Sequence, residues 1–186
     1  MVLFVAAAAL YGSGAGSSAG EIASYYAGFG NRMRQIGGFA VLLLGCLCLA
    51  AYVAVLIRSV VGGEPLATVA LVSGICAVGL LAVANGLWAA TAFTVELEPA
   101  YHVNPETHLL FEDAGFVVLV SAAALAIPFV AVTSWAASSA QVLPRWFGAL
   151  GILAVAGLAA AYWYFPLLAF LVWIAAGSVA LVARTP

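Results

Sequence analysis

The stretch LLFEDAGFVVLVSAAALAIPFVAVTSWAA, residues 109–137, decides the fold class of this chain. It is almost continuously apolar, and it exceeds the roughly 20 helical residues that cross the roughly 30 Å hydrocarbon core of a bilayer. Glu112 and Asp113, near its start, are its charged residues. The stretch therefore predicts a membrane-spanning helix with two adjacent carboxylates near one end.

Further spans follow from the same criterion. Residues 146–182 form an apolar run that is too long for one span, and Pro166 near its middle would interrupt a helix. We therefore interpret this run as a helical hairpin. The five predicted full spans are residues 36–59, 67–95, 109–137, 146–163 and 166–183. The chain is thus predicted to be an all-α, polytopic helical bundle that forms a single domain over residues 1–186.

The composition agrees with this class and excludes others. Hydrophobic residues make up 67% of the 186 residues, charged residues only 6%, and the mean hydropathy is +1.20. A soluble domain is about a quarter charged. The net charge of −2, with five arginines and no lysine, offers no basic patch for nucleic acid. We expect a multi-pass protein of the cell membrane that is surrounded by membrane lipids.

The N-terminal segment MVLFVAAAAL, residues 1–10, has about half the length of a span. It lacks the positive region that precedes the apolar part of a signal peptide. Three interpretations stay open for residues 2–11: a truncated or mis-started first helix, an interfacial or half-membrane helix, and a signal-like segment. Further along, EIASYYAGFGNRMRQ, residues 21–35, predicts a short amphipathic helix before the first full span.

The arginines predict the orientation. Three of them fall on one side of the predicted bundle, namely Arg58, Arg145 and Arg184. The loop ELEPAYHVNPETH, residues 96–108, contains three glutamates and neither lysine nor arginine. By the positive-inside rule the C-terminus is cytoplasmic and the acidic loop external. Arg32 and Arg34 oppose this orientation, because they precede the first full span on the external side.

Three motifs occur in order between the apolar runs: SSAGEIASYYAGFGNRMR from residue 17, NPETHLLFEDAGF from residue 104 and LPRWFGALGILAV from residue 143. In this pattern the chain resembles the DUF4386-like integral membrane proteins of actinobacteria, a family of unknown function. The positions that carry the resemblance are Glu21, Tyr25, Tyr26, Arg32, Asp113, Gly115, Pro144, Arg145 and Trp146. The resemblance implies six helices with a shortened first one, and no particular chemistry.

The start of the helix that contains residues 109–137 can be placed from local signals. Asn104 is a good N-cap, Pro105 suits the first helical position, and Glu106 complements the positive end of the helix dipole. The helix would then be about 50 Å long. Its first turns would project beyond the hydrocarbon, and this offers one interpretation of Glu112 and Asp113 as solvated interfacial residues.

The second interpretation is a functional site. Ionisable residues below the headgroups are costly and usually face a bundle interior or a cavity. His108 and Glu112 are four residues apart and share a helix face, while Asp113 lies about 100° around the helix. Adjacent carboxylates repel, so one of them can keep a proton and act as a general acid. The candidate catalytic residues are Asp113, Glu112, Glu21 and His108.

Polar and aromatic side chains are predicted to surround the same external end. The candidate substrate-binding residues are Tyr25, Tyr26, Asn85, Trp88, Tyr162 and Trp163. For Asn85, which forms a stripe with Trp88 and Thr91, helix packing is the alternative. For Tyr162 and Trp163, the alternative is an aromatic belt at the membrane interface.

Specific cofactor chemistry finds no support in the sequence. Cys46, Cys48 and Cys76 lack redox-pair spacing and are predicted to be small packing residues. His102 and His108 lie at or outside the membrane edge, which argues against haem ligation between spans. No zinc motif, phosphate loop or nucleophile elbow is present, so we predict no metal and no cofactor.

Two classes of function remain. The first is a small membrane-embedded enzyme, of isomerase, cyclase or hydrolase type, that acts on a lipophilic small molecule by acid–base chemistry. The second is a non-catalytic accessory subunit with a membrane protein partner, or a small transporter. A bundle this small has little room for alternating access, although homo-oligomerisation would supply more.

Overall fold

The computed structural model describes residues 3, 4, 6, 18–61, 65–98, 100–140, 142–161 and 167–183. Over these residues the chain is helical and contains no strand. Six helices occur in the described ranges: α1 (Ala19–Ala27), α2 (Phe29–Val60), α3 (Pro65–Leu97), α4 (Pro105–Ser139), α5 (Arg145–Ala159) and α6 (Leu167–Val182). The predicted all-α class is confirmed.

Three of these helices are long and apolar enough to cross a membrane. They are α2, α3 and α4, with 32, 33 and 35 residues. The predicted spans 36–59, 67–95 and 109–137 lie inside them. At the predicted hairpin the helices are shorter, with 15 residues in α5 and 16 in α6. Five full spans are therefore more than the helix lengths support, and the predicted turn at residues 162–166 lies outside the described residues.

Local signals account for the helix starts near the acidic loop. Ser18 and Glu21 form a capping box, in which the Ser18 hydroxyl accepts from the Glu21 N–H and the Glu21 carboxylate accepts from the Ser18 N–H. The predicted N-cap of α4 is confirmed, because Oδ1 of Asn104 accepts from the N–H groups of Glu106 and Thr107 at 2.9 and 3.3 Å. Such caps satisfy N–H groups that have no partner within the helix.

The amphipathic helix predicted over residues 21–35 is divided in two. Gly28 caps the C-terminus of α1 in an extended conformation, and α2 begins at Phe29. Ile22 and Tyr26, four residues apart on α1, are both fully buried. The break at Gly28 thus lets one face of a short helix pack against its neighbours while the next residues start the first long helix.

The chain divides into two compact units. One comprises Val2–Leu47 and Leu81–Leu119, with a core around Ile22, Tyr26 and Ala92. It contains α1, the first half of α2, the second half of α3 and the start of α4. All described candidate site residues belong to this unit.

The other unit consists mainly of Cys48–Leu80 and Val120–Pro186. Its core is aromatic: Trp173 lies edge-on to Phe129 and stacks on Phe147, with ring centroids 5.5 and 5.2 Å apart. The indole N–H of Trp173 donates to the Ser134 hydroxyl at 3.0 Å. This bond satisfies a polar group that is buried among apolar side chains.

Candidate functional site: a buried histidine beside a half-exposed glutamate

The candidate site is built around His108 at the end of the first turn of α4. Its side chain is only 2% exposed, although it lies close to the capped start of the helix. The edge of α1 covers it, since the rings of Tyr26 and His108 make a T-shaped contact with centroids 5.1 Å apart. The structure thus encloses a titratable ring near a helix start. From the sequence alone, this region could equally be solvated at the membrane interface.

Two hydroxyl groups approach Nδ1 of His108. Oγ1 of Thr91, on α3, lies 3.1 Å away, and Oη of Tyr26 lies 3.5 Å away. The Tyr26 hydroxyl also donates to Oε1 of Gln35 at the start of α2, at 3.0 Å. These four side chains form a buried polar chain that joins α1, α2, α3 and α4. Hydrogen bonds of this kind, enclosed in the protein, orient the side chains that take part in them.

The other ring nitrogen faces Glu112. Nε2 of His108 lies 3.4 Å from Oε1 of Glu112, one helical turn along α4. The two atoms are close enough for an ion pair if the ring is protonated, and within the described residues Nε2 makes no contact with hydrogen-bond geometry. The Glu112 side chain is 44% exposed, so it has room to approach Nε2. The pair therefore connects an enclosed imidazole to a carboxyl group that solvent or a ligand can reach.

The surroundings of Tyr26 keep its hydroxyl protonated. Burial raises the pKa of Tyr26 to about 12, against a smaller lowering by the hydrogen bond to Gln35. At neutral pH Tyr26 is therefore uncharged and carries one proton that it can donate. Its ring also packs edge-on against Tyr25, with centroids 5.2 Å apart.

Helix α1 is held in place from the first turn of α2. Nη1 of Arg32 donates to the carbonyl oxygens of Tyr26 and Ala27 at 2.7 and 3.1 Å. Nε of the same arginine pairs with Oε2 of Glu96 at 3.0 Å. The guanidinium group thus caps the C-terminus of α1, as cations do favourably, and ties it to the end of α3. This pairing gives a structural reason for one of the two arginines that oppose the predicted orientation.

Trp88 and Gly115 set the contact between α3 and α4 beside the site. The indole Nε1 of Trp88 donates to the backbone oxygen of Glu112 at 3.3 Å. A Cβ atom on Gly115 would lie 2.5 Å from that nitrogen, so the glycine makes room for the indole ring. Trp88 therefore contacts the backbone of the candidate acid and positions it.

The remaining described candidate residues, Asp113, Glu21 and Asn85, have surroundings of other kinds. Asp113 is exposed and shares the outward face of α4 with Leu110 and Val117, which are 65% and 63% exposed. Glu21 is exposed and occupied in the capping box of α1. Asn85 is fully buried and donates to the backbone oxygen of Phe39 at 3.0 Å, a contact of the helix-packing kind.

Tyr162 and Trp163 lie outside the described residues. For them, as for Asp113 and Glu21, a functional role stays a prediction. Cys46 is buried, whereas Cys48 and Cys76 are exposed.

The structure adds residues that were not among the predicted site residues. Gln35 follows Tyr26 by nine positions and lies on a different helix, so no helical spacing links them. The Arg32–Glu96 pair joins residues 64 positions apart. Thr91 lies in the predicted stripe with Asn85 and Trp88. This spacing is the one sequence pattern that indicates a place for Thr91 near the site.

The described residues also bear on metal binding. No three His, Cys, Asp or Glu side chains among them come together as a metal site would require. His108 and Glu112 alone would supply two ligands. The arrangement is instead suited to holding and passing a proton between two side chains.

No family model, curated protein or solved structure matches this chain. The resemblance to the DUF4386-like proteins therefore stays a prediction.

Proposed function

We propose that this chain is a membrane-embedded enzyme that acts on a lipophilic small molecule by acid–base chemistry. The observation that carries the proposal is the position of Nε2 of the buried His108, 3.4 Å from the half-exposed carboxyl group of Glu112. Perturbed environments and paired titratable groups are typical of catalytic acids and bases. Glu112 would meet the substrate, and His108 would accept or return a proton behind it.

His108 and Glu112 differ in exposure, and this difference supports proton exchange at Glu112. An enclosed imidazole cannot reach a substrate, whereas the carboxyl group in front of it is accessible from outside the protein. Interaction with the ring stabilises either the protonated acid or, after proton transfer, the carboxylate beside an imidazolium. Glu112 can therefore donate a proton to a substrate and recover one later without a cofactor.

The lipophilic character of the substrate is supported by the neighbours of Glu112 on α4. Leu109 and Phe116 lie one turn before and one turn after it on the same face, and Leu109 is 38% exposed. Beyond them α4 has an apolar outward face and a length suited to a membrane. A ligand that approaches Glu112 along this helix meets mainly hydrocarbon.

An isomerase or cyclase fits this site with the fewest additional requirements. Protonation of a double bond or carbonyl group at one atom and loss of a proton from another returns Glu112 to its starting state. A hydrolase would require a water molecule activated by the same carboxylate. Asp113 and Glu21 are further candidate acids, although both are exposed.

The test is incorporation of solvent isotopes. Purified protein in bilayers is incubated with a total membrane lipid extract in D₂O or H₂¹⁸O, and the lipids are analysed by mass spectrometry. We expect deuterium, for an isomerase or cyclase, or ¹⁸O, for a hydrolase, in a discrete lipophilic species. Glu112→Gln should abolish this labelling, whereas the neighbouring Asp113→Asn should retain it.

Absence of labelling by the wild-type protein, or equal labelling by Glu112→Gln, would reject the enzymatic proposal. Co-purification of a stoichiometric membrane protein together with absence of labelling would favour the accessory-subunit alternative. Equal loss with Asp113→Asn would move the site to the outward face of α4.

We further propose a multi-pass topology in which the end of α2, the start of α5 and the C-terminus lie on the cytoplasmic side. Support comes from Arg58 near the end of α2 and Arg145 at the start of α5, and from the acidic loop between α3 and α4. Reporter fusions at the C-terminus and in the loop at residues 98–104 should report opposite sides of the membrane. The same side for both would contradict this topology.

A further inference from the structure

We propose that Gln35, acting through Tyr26, holds the ring proton of His108 on Nδ1, so that Nε2 presents its lone pair to Glu112. This inference rests on the proposed function, in which Glu112 exchanges a proton with the substrate. It makes Gln35 and Tyr26 positioning residues that prepare the ring to accept a proton at Nε2.

The first step concerns the hydroxyl proton of Tyr26. A tyrosine hydroxyl has a single proton, and the bond of 3.0 Å to Oε1 of Gln35 uses it. Both side chains are buried, at 0% and 5% exposure, so solvent does not compete for this bond. Towards Nδ1 of His108, 3.5 Å away, Oη of Tyr26 can therefore offer only a lone pair.

The second step concerns Nδ1. Its closer neighbour is the Thr91 hydroxyl at 3.1 Å, which can either donate or accept. Tyr26 accepts only, and Thr91 adapts to either form of the ring. Both contacts are satisfied together when Nδ1 carries the proton and donates it.

The third step concerns Nε2. A neutral imidazole with its proton on Nδ1 has a lone pair on Nε2. In this form Nε2, 3.4 Å from Oε1 of Glu112, faces the carboxyl group as a proton acceptor. That is the role which the proposed function gives to the ring.

The tautomer can be observed directly by ¹⁵N NMR of histidine-labelled protein in detergent micelles, since protonated and unprotonated ring nitrogens have well-separated shifts. The chain has two histidines, and His102→Gln at an exposed position leaves only the His108 signals. We expect a neutral His108 ring with its proton on Nδ1. The measurement uses the resting protein and needs no substrate.

Two substitutions of Gln35 test the role of Tyr26. In Gln35→Glu the side chain keeps an oxygen that can accept from the Tyr26 hydroxyl, so the Tyr26 proton stays engaged and the Nδ1–H form should persist. In Gln35→Met, of similar length, the acceptor is lost. The Tyr26 proton then turns to Nδ1, and the ring proton should move to Nε2, where it faces Glu112. A purely structural role for Gln35 would not move the ring proton.

A wild-type ring with its proton on Nε2 would overturn the proposal, as would a Gln35→Met spectrum with the proton still on Nδ1. If Gln35→Met fails to fold, the wild-type and Gln35→Glu spectra decide. The proposed function fails separately, through the isotope incorporation described above. A protein with the Nδ1–H ring and no labelling would keep the positioning contacts and lose the enzymatic role.

Discussion

The hydroxyl group of Thr91 on α3 lies 3.1 Å from Nδ1 of His108 on α4, and both side chains are buried. The contact joins two helices that a loop of acidic composition connects. It encloses a titratable ring within two turns of a solvent-facing helix start. Stability and candidate chemistry therefore depend on the same polar chain.

Loss of the Thr91 hydroxyl should destabilise this unit. In Thr91→Val the shape is kept, but a buried imidazole nitrogen loses its closest polar neighbour, which costs about 1 to 3 kcal/mol. Tyr26, at 3.5 Å, compensates only in part. Thermal unfolding in detergent, followed by circular dichroism, should show a lowered midpoint.

Thr94→Val is the matched control, because that hydroxyl donates to the Ala90 carbonyl on its own helix. Its effect should stay within about 0.5 kcal/mol. Equal destabilisation by the two substitutions would show that the contact with His108 adds nothing specific.

The buried hydroxyl of Tyr26 predicts a late tyrosine ionisation. Burial raises the pKa of Tyr26 to about 12, above the value of 10.0 of an exposed tyrosine. Between pH 10 and about pH 12, Tyr26 loses its hydroxyl proton when α1 is undocked and keeps it when α1 is docked. The contribution of the Tyr26 hydroxyl to the stability of docked α1 is therefore fully present below pH 10. It falls as the pH rises and is lost through about pH 12.

The measurement is the difference in tyrosinate absorbance between the wild type and Tyr26→Phe during an alkaline titration. This difference isolates one tyrosine of seven and should titrate near pH 12. A difference that titrates at pH 10 would mean that α1 does not bury Tyr26. Tyr25→Phe, at a partly buried neighbour, is the control.

Arg32 should matter more to the docking of α1 than its ion pair with Glu96 alone accounts for. Arg32→Gln removes two hydrogen bonds to α1 carbonyls in addition to the pair. We expect this loss to lower the free energy of docking of α1 by about 2 kcal/mol. The rate of amide exchange in α1 should rise roughly tenfold or more. Glu96→Gln removes only the pair, whose carboxylate is 35% exposed, so solvent screening limits the loss to below about 1 kcal/mol.

Hydrogen exchange of residues 19–27, measured by mass spectrometry, distinguishes these effects. The exposed Arg34→Gln is the control and should leave the exchange rates unchanged. If Arg34→Gln accelerates exchange as much as Arg32→Gln does, general charge and not the contact of Arg32 with α1 holds this helix.

Local patterns predicted much of the fold because they act over short distances. The apolar runs locate α2, α3 and α4, and Asn104 with Pro105 locates the start of α4 within one turn. The hairpin at residues 146–183 was less predictable. Apolar composition reports that a segment avoids water, but it does not report how many of its residues form one helix.

The candidate site was predictable only where its residues share one helix. His108 and Glu112 are related by helical spacing, so their proximity follows from the sequence. Glu112 and Asp113 look equivalent in sequence, but the packing of α4 directs the first towards His108 and leaves the second exposed. Gln35 could not be predicted, because its contact with Tyr26 depends on tertiary structure. The helix breaks at Gly28, and this break lets α1 pack against the other helices.

The close approach of Trp88 to Gly115 predicts a selective effect of one added methyl group. In Gly115→Ala the new Cβ atom would lie 2.5 Å from the indole Nε1 and 2.7 Å from Cδ1, so the ring must move and its bond to the Glu112 backbone is lost. Such overpacking costs about 1 to 3 kcal/mol.

Gly37→Ala is the matched control, because it adds the same methyl group within a helix at a position with nothing inside 4 Å. It should be neutral or stabilise by up to about 1 kcal/mol through helix propensity. Thermal unfolding together with tryptophan fluorescence measures both effects, and an unaltered midpoint and spectrum for Gly115→Ala would show that Trp88 does not occupy the space beside this glycine.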